Sequence, residues 1–157
     1  MALKAIPRKW WSWTFSVFND GREIAELSFA CLREGGGLRF CDSIYRIYRQ
    51  GMFSGSFILE TNGQITAYAE KPSVLHRSFT VHHAGKTYIL EAESAFRRKF
   101  VLRNADSVTG SISPEKACAR DARIDLPTEL PLPVRLFMVW LTLLLWKRDA
   151  DSAPIVT

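Results

Sequence analysis

The sequence predicts a mainly β protein: a closed antiparallel barrel of about ten to twelve strands around a central hydrophobic C-terminal helix. Three observations carry that prediction. Apolar and polar residues alternate with a period of two over most of the chain, which marks half-buried strands. Turn chemistry recurs between these short runs. The segment Leu132 to Trp146, LPVRLFMVWLTLLLW, is a helix-length run that is apolar on every side, and such a helix must be buried all round. A sandwich fills its interior with side chains, whereas a closed sheet of this many strands has a lumen wide enough for one helix. The 157 residues read as a single domain over 1–157, with the barrel wall at 8–126 and the helix at 132–147 as its core.

Taken in order, Trp11, Trp13, Phe15 and Val17 alternate with Ser12, Thr14 and Ser16 as the first strand, and Asn19-Asp20-Gly21 supplies a hairpin turn. Ala25, Leu27 and Phe29 form the return strand, closed by a turn at Glu34-Gly35-Gly36-Gly37. Leu38 and Phe40, then Tyr45 and Ile47, continue the alternation to the Gly51-Met52-Phe53-Ser54-Gly55 loop. Phe57 and Leu59 lead through Asn62-Gly63 to Ile65, Ala67 and Ala69. Phe79 and Val81 lead through Ala84-Gly85 to Tyr88, Leu90 and Ala92. Phe100 and Leu102, the stretch from Val108 to Ile112, and Arg123 to Leu126 supply the last strands. Pro127, Pro131 and Pro133 then end the strand pattern and let the chain turn into the barrel axis. Deletion of Lys147 to Thr157 is expected to be nearly silent beside an acidic substitution of Trp140 or Leu143.

These strands carry a resemblance. The segment Ser56 to Gly63, followed by Ala67-Tyr68-Ala69-Glu70-Lys71-Pro72 and Arg77-Ser78-Phe79-Thr80-Val81, resembles the strand, turn and strand rhythm of the tubby C-terminal-like superfamily. It is most similar to the LURP-one-related and phospholipid-scramblase-like branch. Tyr88-Ile89-Leu90 before Phe96, Phe100-Val101-Leu102 before Gly110-Ser111-Ile112, and the apolar C-terminal helix continue the pattern. The resemblance implies a barrel of about twelve strands around a hydrophobic helix. It also implies a binding role, since tubby proteins bind phosphoinositide headgroups through basic residues and scramblase-like relatives attach to membranes.

Composition narrows the function classes. The chain carries a net charge of +5, with 47% hydrophobic and 12% aromatic residues, and arginine outnumbers lysine. That balance suits contact with phosphates or an anionic membrane surface, but the bases are not concentrated as in a nucleic-acid module. Cys31, Cys41 and Cys118 are an odd number without paired spacing, which points to reduced thiols and a cytoplasmic protein, with a membrane-peripheral placement as its variant. No apolar signal region follows Leu3-Lys4, so export is not expected. The uninterrupted apolar run from Leu136 to Trp146 spans only about 16 Å, roughly half a bilayer core. Trp146 before Lys147-Arg148 nevertheless resembles an interfacial anchor, which keeps a tail-anchored protein with a β-rich head as an alternative.

No catalytic, metal or cofactor constellation emerges, so the reading is a non-catalytic binding module with no cofactor. His82 and His83 are neighbours on a strand and point to opposite faces. Cys31 and Cys41 could approach each other across the barrel, yet no further ligands stand at zinc-like spacing. No G-x-S-x-G elbow is present. Gly35 to Gly37 lacks a phosphate loop's lysine and reads as a hairpin turn. Glu91 and Glu93 share one strand face as surface charge. The candidate site is basic: if Phe100 and Leu102 face inward, Arg97, Lys99 and Arg103 share the outer face and form an anion- or lipid-binding ridge about 20 Å long. An anionic membrane surface or a partner protein is the expected partner. A small-ligand-binding barrel is a further alternative, and nucleic acid is disfavoured because no exposed aromatics interleave with these bases.

Overall fold

The computed structural model describes residues 2–51, 54–72, 75–95, 97–117 and 119–152. Strands β1 (Leu3–Pro7), β2 (Phe15–Asn19), β3 (Arg22–Phe29), β4 (Gly35–Phe40), β5 (Ser43–Arg49) and β6 (Ser56–Thr61) form the first half of the wall. Strands β7 (Gln64–Glu70), β8 (Ser78–His83), β9 (Lys86–Ala92), β10 (Phe100–Asn104), β11 (Ser107–Pro114) and β12 (Ala122–Asp125) form the second. Each strand pairs antiparallel with its chain neighbours, and β1 pairs with β12 through Leu3 opposite Ile124, so the sheet closes as a barrel. Closure matters because an antiparallel sheet left open would present two rows of unpaired backbone groups. The wall therefore begins at Leu3, ahead of the boundary read at residue 8: the five residues of β1 are too few to show a clear alternation, and their partner lies more than a hundred residues away.

Helix α1 (Leu132–Ser152) fills the lumen and runs past residue 147. Every side chain from Leu136 to Trp146 is buried, and these meet inward residues from around the wall, including Phe15, Leu27, Leu38, Leu59, Leu90 and Phe100. Polar atoms on the helix are matched. Thr142 Oγ1 donates to the Met138 carbonyl at 3.0 Å, Trp140 Nε1 to the Ser28 carbonyl at 2.9 Å, and Trp146 Nε1 to the Arg98 carbonyl at 2.8 Å. The Trp140 ring stacks on Phe29 at 4.7 Å and leans on Phe57 at 5.7 Å. No described helix is long and apolar enough to cross a membrane.

The two ends of the barrel are built differently. At one end five two-residue turns join β2–β3, β4–β5, β6–β7, β8–β9 and β10–β11. Their first residues, Asp20, Cys41, Asn62, Ala84 and Ala105, all have positive φ and recur every 21 or 22 residues. The helix enters the barrel from this turn end. The other end carries the longer connections 8–14, 30–34, 50–55, 71–77, 93–99 and 115–121, and the helix tail emerges among them.

Several details correct the sequence reading. Trp11 and Trp13 lie in the β1–β2 connection, because β2 begins only at Phe15. Gly35 to Gly37 is the start of β4 rather than a turn, and the turn is made by the residues before it. Gly36 pairs with Phe29 and Ile47, and a Cβ placed on it would lie 1.9 Å from the Ser28 carbonyl oxygen, the acceptor of the Trp140 indole. The glycine thus leaves room for a backbone carbonyl turned toward the core. A register shift between Leu59 and Glu60 turns Ile65 outward, 60% exposed, while Ala67 and Ala69 stay inside. Cys31 and Cys41 flank β4 at opposite ends of the barrel, so they do not approach each other. Cys118, Phe96 and Met52-Phe53 of the expected loop lie outside the described residues.

Candidate functional site

The wall orients the expected ridge as its alternation requires: Phe100 and Leu102 are fully buried, and Lys99 and Arg103 stand on the outer face. Neither stands alone. Lys99 Nζ lies 3.2 Å from Glu93, and Arg103 Nε donates to Glu91 Oε1 at 2.6 Å. The carboxylates read as surface charge, Glu91 on β9 and Glu93 just after it, are therefore the counter-ions of Arg103 on β10 and of Lys99 just before it, which leaves two of the three ridge cations paired. Arg97 differs. It lies with Lys99 in the β9–β10 connection at the loop end of the barrel, but it is exposed and makes no salt bridge among the described residues.

That end is where positive charge collects. The six connections and the helix tail from Lys147 onward contain twelve lysines and arginines against six aspartates and glutamates, a net of +6, whereas the whole chain is +5. The turn end is acidic by comparison, with Asp20, Asp42, Asp106, Asp125 and Glu129 against Arg22, Lys86 and, at the start of α1, Arg135. Charge thus runs along the barrel axis. Lys9, Arg33, Arg97 and Lys116 of the loop end are exposed and make no salt bridge among the described residues.

The same end exposes large apolar side chains. Trp10 is 82% exposed and Trp11 62% in the β1–β2 connection, Leu32 is 99% exposed in the β3–β4 connection, and Leu75 is 90% exposed in the β7–β8 connection. The tryptophan loop is held firmly. Arg120, reaching from the β11–β12 connection, donates to the Ser12 and Trp10 carbonyls and to the Lys9 carbonyl at 2.9 Å, and its guanidinium lies over the Trp13 ring at 5.3 Å. Within the loop, Ser12 N–H donates to the Lys9 carbonyl at 3.0 Å and Thr14 N–H to Ser12 Oγ at 3.0 Å. Trp10 and Trp11 meet edge to face at 5.3 Å, with Lys9 Nζ over the Trp11 ring at the same distance. Beside them a groove of about 500 Å³ is lined by Lys9, Trp11, Trp13, Cys31 and Lys147.

The helix tail anchors this end. Arg148 donates through both Nε, at 2.6 Å, and Nη2 to the two oxygens of Glu34, which also receives Arg49 Nη1 at 3.3 Å. Partial burial alone would raise the Glu34 pKa, but the hydrogen bond and charge of Arg148, with Arg49 and Lys147, hold it below the usual carboxylate value. Arg77 Nη2 donates to Asp149 Oδ2 at 2.8 Å, and the Arg98 guanidinium covers the Trp146 ring at 4.3 Å. Ion pairs and a cation–ring contact thus tie the tail after Trp146 to the loop end.

Other sequence candidates are dispersed. His82 lies on the outer wall, stacked on Tyr68 at 4.4 Å and 3.4 Å from Glu70, while His83 Nδ1 sits 3.0 Å from the Thr66 carbonyl oxygen. Among the described residues no group of three or more histidines, cysteines or carboxylates is placed to hold a metal ion. Fold and site together define a helix-filled β-barrel with a basic, apolar-tipped mouth. In comparisons with family models, curated proteins and solved structures, the chain matches none.

Proposed function

We propose that the protein is a non-catalytic binding module that docks an anionic membrane surface through the loop end of its barrel, in the cytoplasm. The observation that carries this reading is the axial charge separation: a net +6 at the loop end of a +5 chain is a directed field, and juxtaposed bases each contribute about 1 kcal/mol near an anionic bilayer. The likeness to tubby-like barrels supports a headgroup-binding role on independent grounds. Filling of the lumen by α1 disfavours a ligand held inside the barrel, and burial of the same helix disfavours its use as a tail anchor. The exposed thiols of Cys31 and Cys41 suit a reducing compartment. Within this reading Arg97 acts at the membrane face, and Lys99 and Arg103 serve as the flanking part of the basic surface, moderated by Glu93 and Glu91.

Co-sedimentation with phosphatidylcholine vesicles, with and without phosphatidylserine, tests the reading. Binding is expected only with the anionic lipid, weakening as salt rises through the physiological range. Joint substitution Lys9→Glu, Arg33→Glu and Arg97→Glu is expected to abolish it, while Lys99→Glu with Arg103→Glu weakens it less. Equal recovery of the wild-type protein in the supernatant with both vesicle types would refute membrane docking and favour a partner protein.

A further inference from the structure

Building on the membrane reading, we infer that the loop end is an insertion rim: the protein meets an anionic bilayer with its barrel axis along the membrane normal, and Trp10, Trp11, Leu32 and Leu75 pass between the headgroups. Three observations converge on this. These four side chains are between 62% and 99% exposed, a large apolar display for one end of a small barrel. They sit on three connections of the same end: the β1–β2 and β3–β4 connections are neighbours that share a groove with the helix tail, and the β7–β8 connection lies further round the barrel. A bilayer, being an extended surface, can meet separate connections of one barrel end together.

The tips also come with cations beside them. Lys9 precedes the two tryptophans and Arg33 follows Leu32, both exposed, while Arg77, paired with Asp149, lies two residues after Leu75. An apolar tip flanked by bases matches the boundary between acyl chains and anionic headgroups, where indoles are favoured as well. The Arg120 clamp on the tryptophan loop gives the arrangement its force. A loop free to collapse could cover its indoles against the barrel, whereas one tied at three carbonyls keeps both rings in water until a surface arrives. The turn end also exposes Ile44, Ile65 and Val108, but it is acidic, so the axial charge separation selects the loop end as the face that meets an anionic membrane.

Tryptophan fluorescence with vesicles carrying brominated acyl chains tests the inference. Trp140 and Trp146 are buried in the barrel, so quenching and a blue shift report on the loop tryptophans. Wild-type protein is expected to show both with phosphatidylserine vesicles, with shallow bromines quenching more than deep ones. The Trp10→Ser and Trp11→Ser pair, and the Leu32→Ser and Leu75→Ser pair, are each expected to weaken binding by about tenfold or more at unchanged melting temperature. Binding that survives both pairs yet is lost on charge reversal would overturn insertion and leave the electrostatic reading standing. Absence of binding to anionic vesicles would overturn both. Full release of bound protein by inorganic phosphate at constant ionic strength would assign recognition to a phosphate pocket and overturn the inserted rim.

Discussion

The closest steric constraint in the barrel lies at Gly36, and replacing it with alanine tests how the helix is locked. The added Cβ would lie 1.9 Å from the Ser28 carbonyl oxygen and 2.8 Å from its carbon, so the β3 backbone must retreat by more than an ångström. That same oxygen accepts the Trp140 indole N–H at 2.9 Å, and Trp140 is fully buried. Losing the hydrogen bond leaves a donor unpaired in the core, at about 1–3 kcal/mol. Overpacking adds about 1–3 kcal/mol. A combined loss of about 2–6 kcal/mol lowers the melting temperature of a domain this size by roughly 5–20 °C. Thermal denaturation followed by circular dichroism reads this directly, with Gly37→Ala as the control. A Cβ on Gly37 meets the Tyr45 oxygen at 3.0 Å, which a few tenths of an ångström relieves, so its cost is expected to stay within about 1 kcal/mol. Equal melting temperatures for the two variants would refute the close-approach argument. The hydrogen-bond part is isolated by Trp140→Phe: the two changes should be less than additive, and additivity within about 0.5 kcal/mol would show that they act independently.

Leu143→Asp is expected to prevent folding, because an unpaired carboxylate in the core costs several kcal/mol against a total stability of about 5–15 kcal/mol; a cooperative urea transition near the wild-type midpoint would refute the central-helix packing. Truncation before Leu132 is expected to leave aggregated or unfolded chain, and a soluble, monomeric, β-rich product would have the same refuting force. Glu34 has a lowered pKa in the folded state, so its contribution to stability is complete above the ordinary carboxylate range, about pH 4–5, and is lost as pH falls through the lowered value. Glu34→Gln and Arg148→Ala are each expected to cost about 1–2 kcal/mol at neutral pH and progressively less on acidification; a penalty independent of pH would show that the ion pair is not the cause.

Much of the architecture was readable locally. The period of two in Phe57–Leu59, Phe79–Val81 and Phe100–Leu102 reports which side chains share a face, and each of these pairs is fully buried. Asp20-Gly21, Asn62-Gly63 and Ala84-Gly85 carry positive φ because their turns need it, and the first two announce it in their residue types. Cys41 and Ala105 make the equivalent turns without such a signal. The spacing of 21 or 22 residues between turns could have located them, since a repeated hairpin length is visible in numbering even where composition is silent.

What the chain determines by itself is therefore its class: alternation and turn residues specify short antiparallel strands, and a helix apolar on every side demands a sheet closed around it. Tertiary structure decided the rest, because strand periodicity is a property of one segment, whereas register, bulges and closure are properties of pairs. Only the pairing of β1 with β12 closes the wall, only the register shift in β6–β7 turns Ile65 outward, and only the fit of Ser28 against Trp140 makes Gly36 necessary within a strand. The site followed the same division. Arg97, Lys99 and Arg103 could be placed on one outer face from sequence, but the cross-strand position of Glu91 and Glu93 decides that two of the three are neutralised. Trp11, apolar and in phase with Phe15, read as part of the first strand; the start of β2 only at Phe15 and the clamp of Arg120 put it outside. Burial is decided by which partner arrives, and that partner lies far away in the chain.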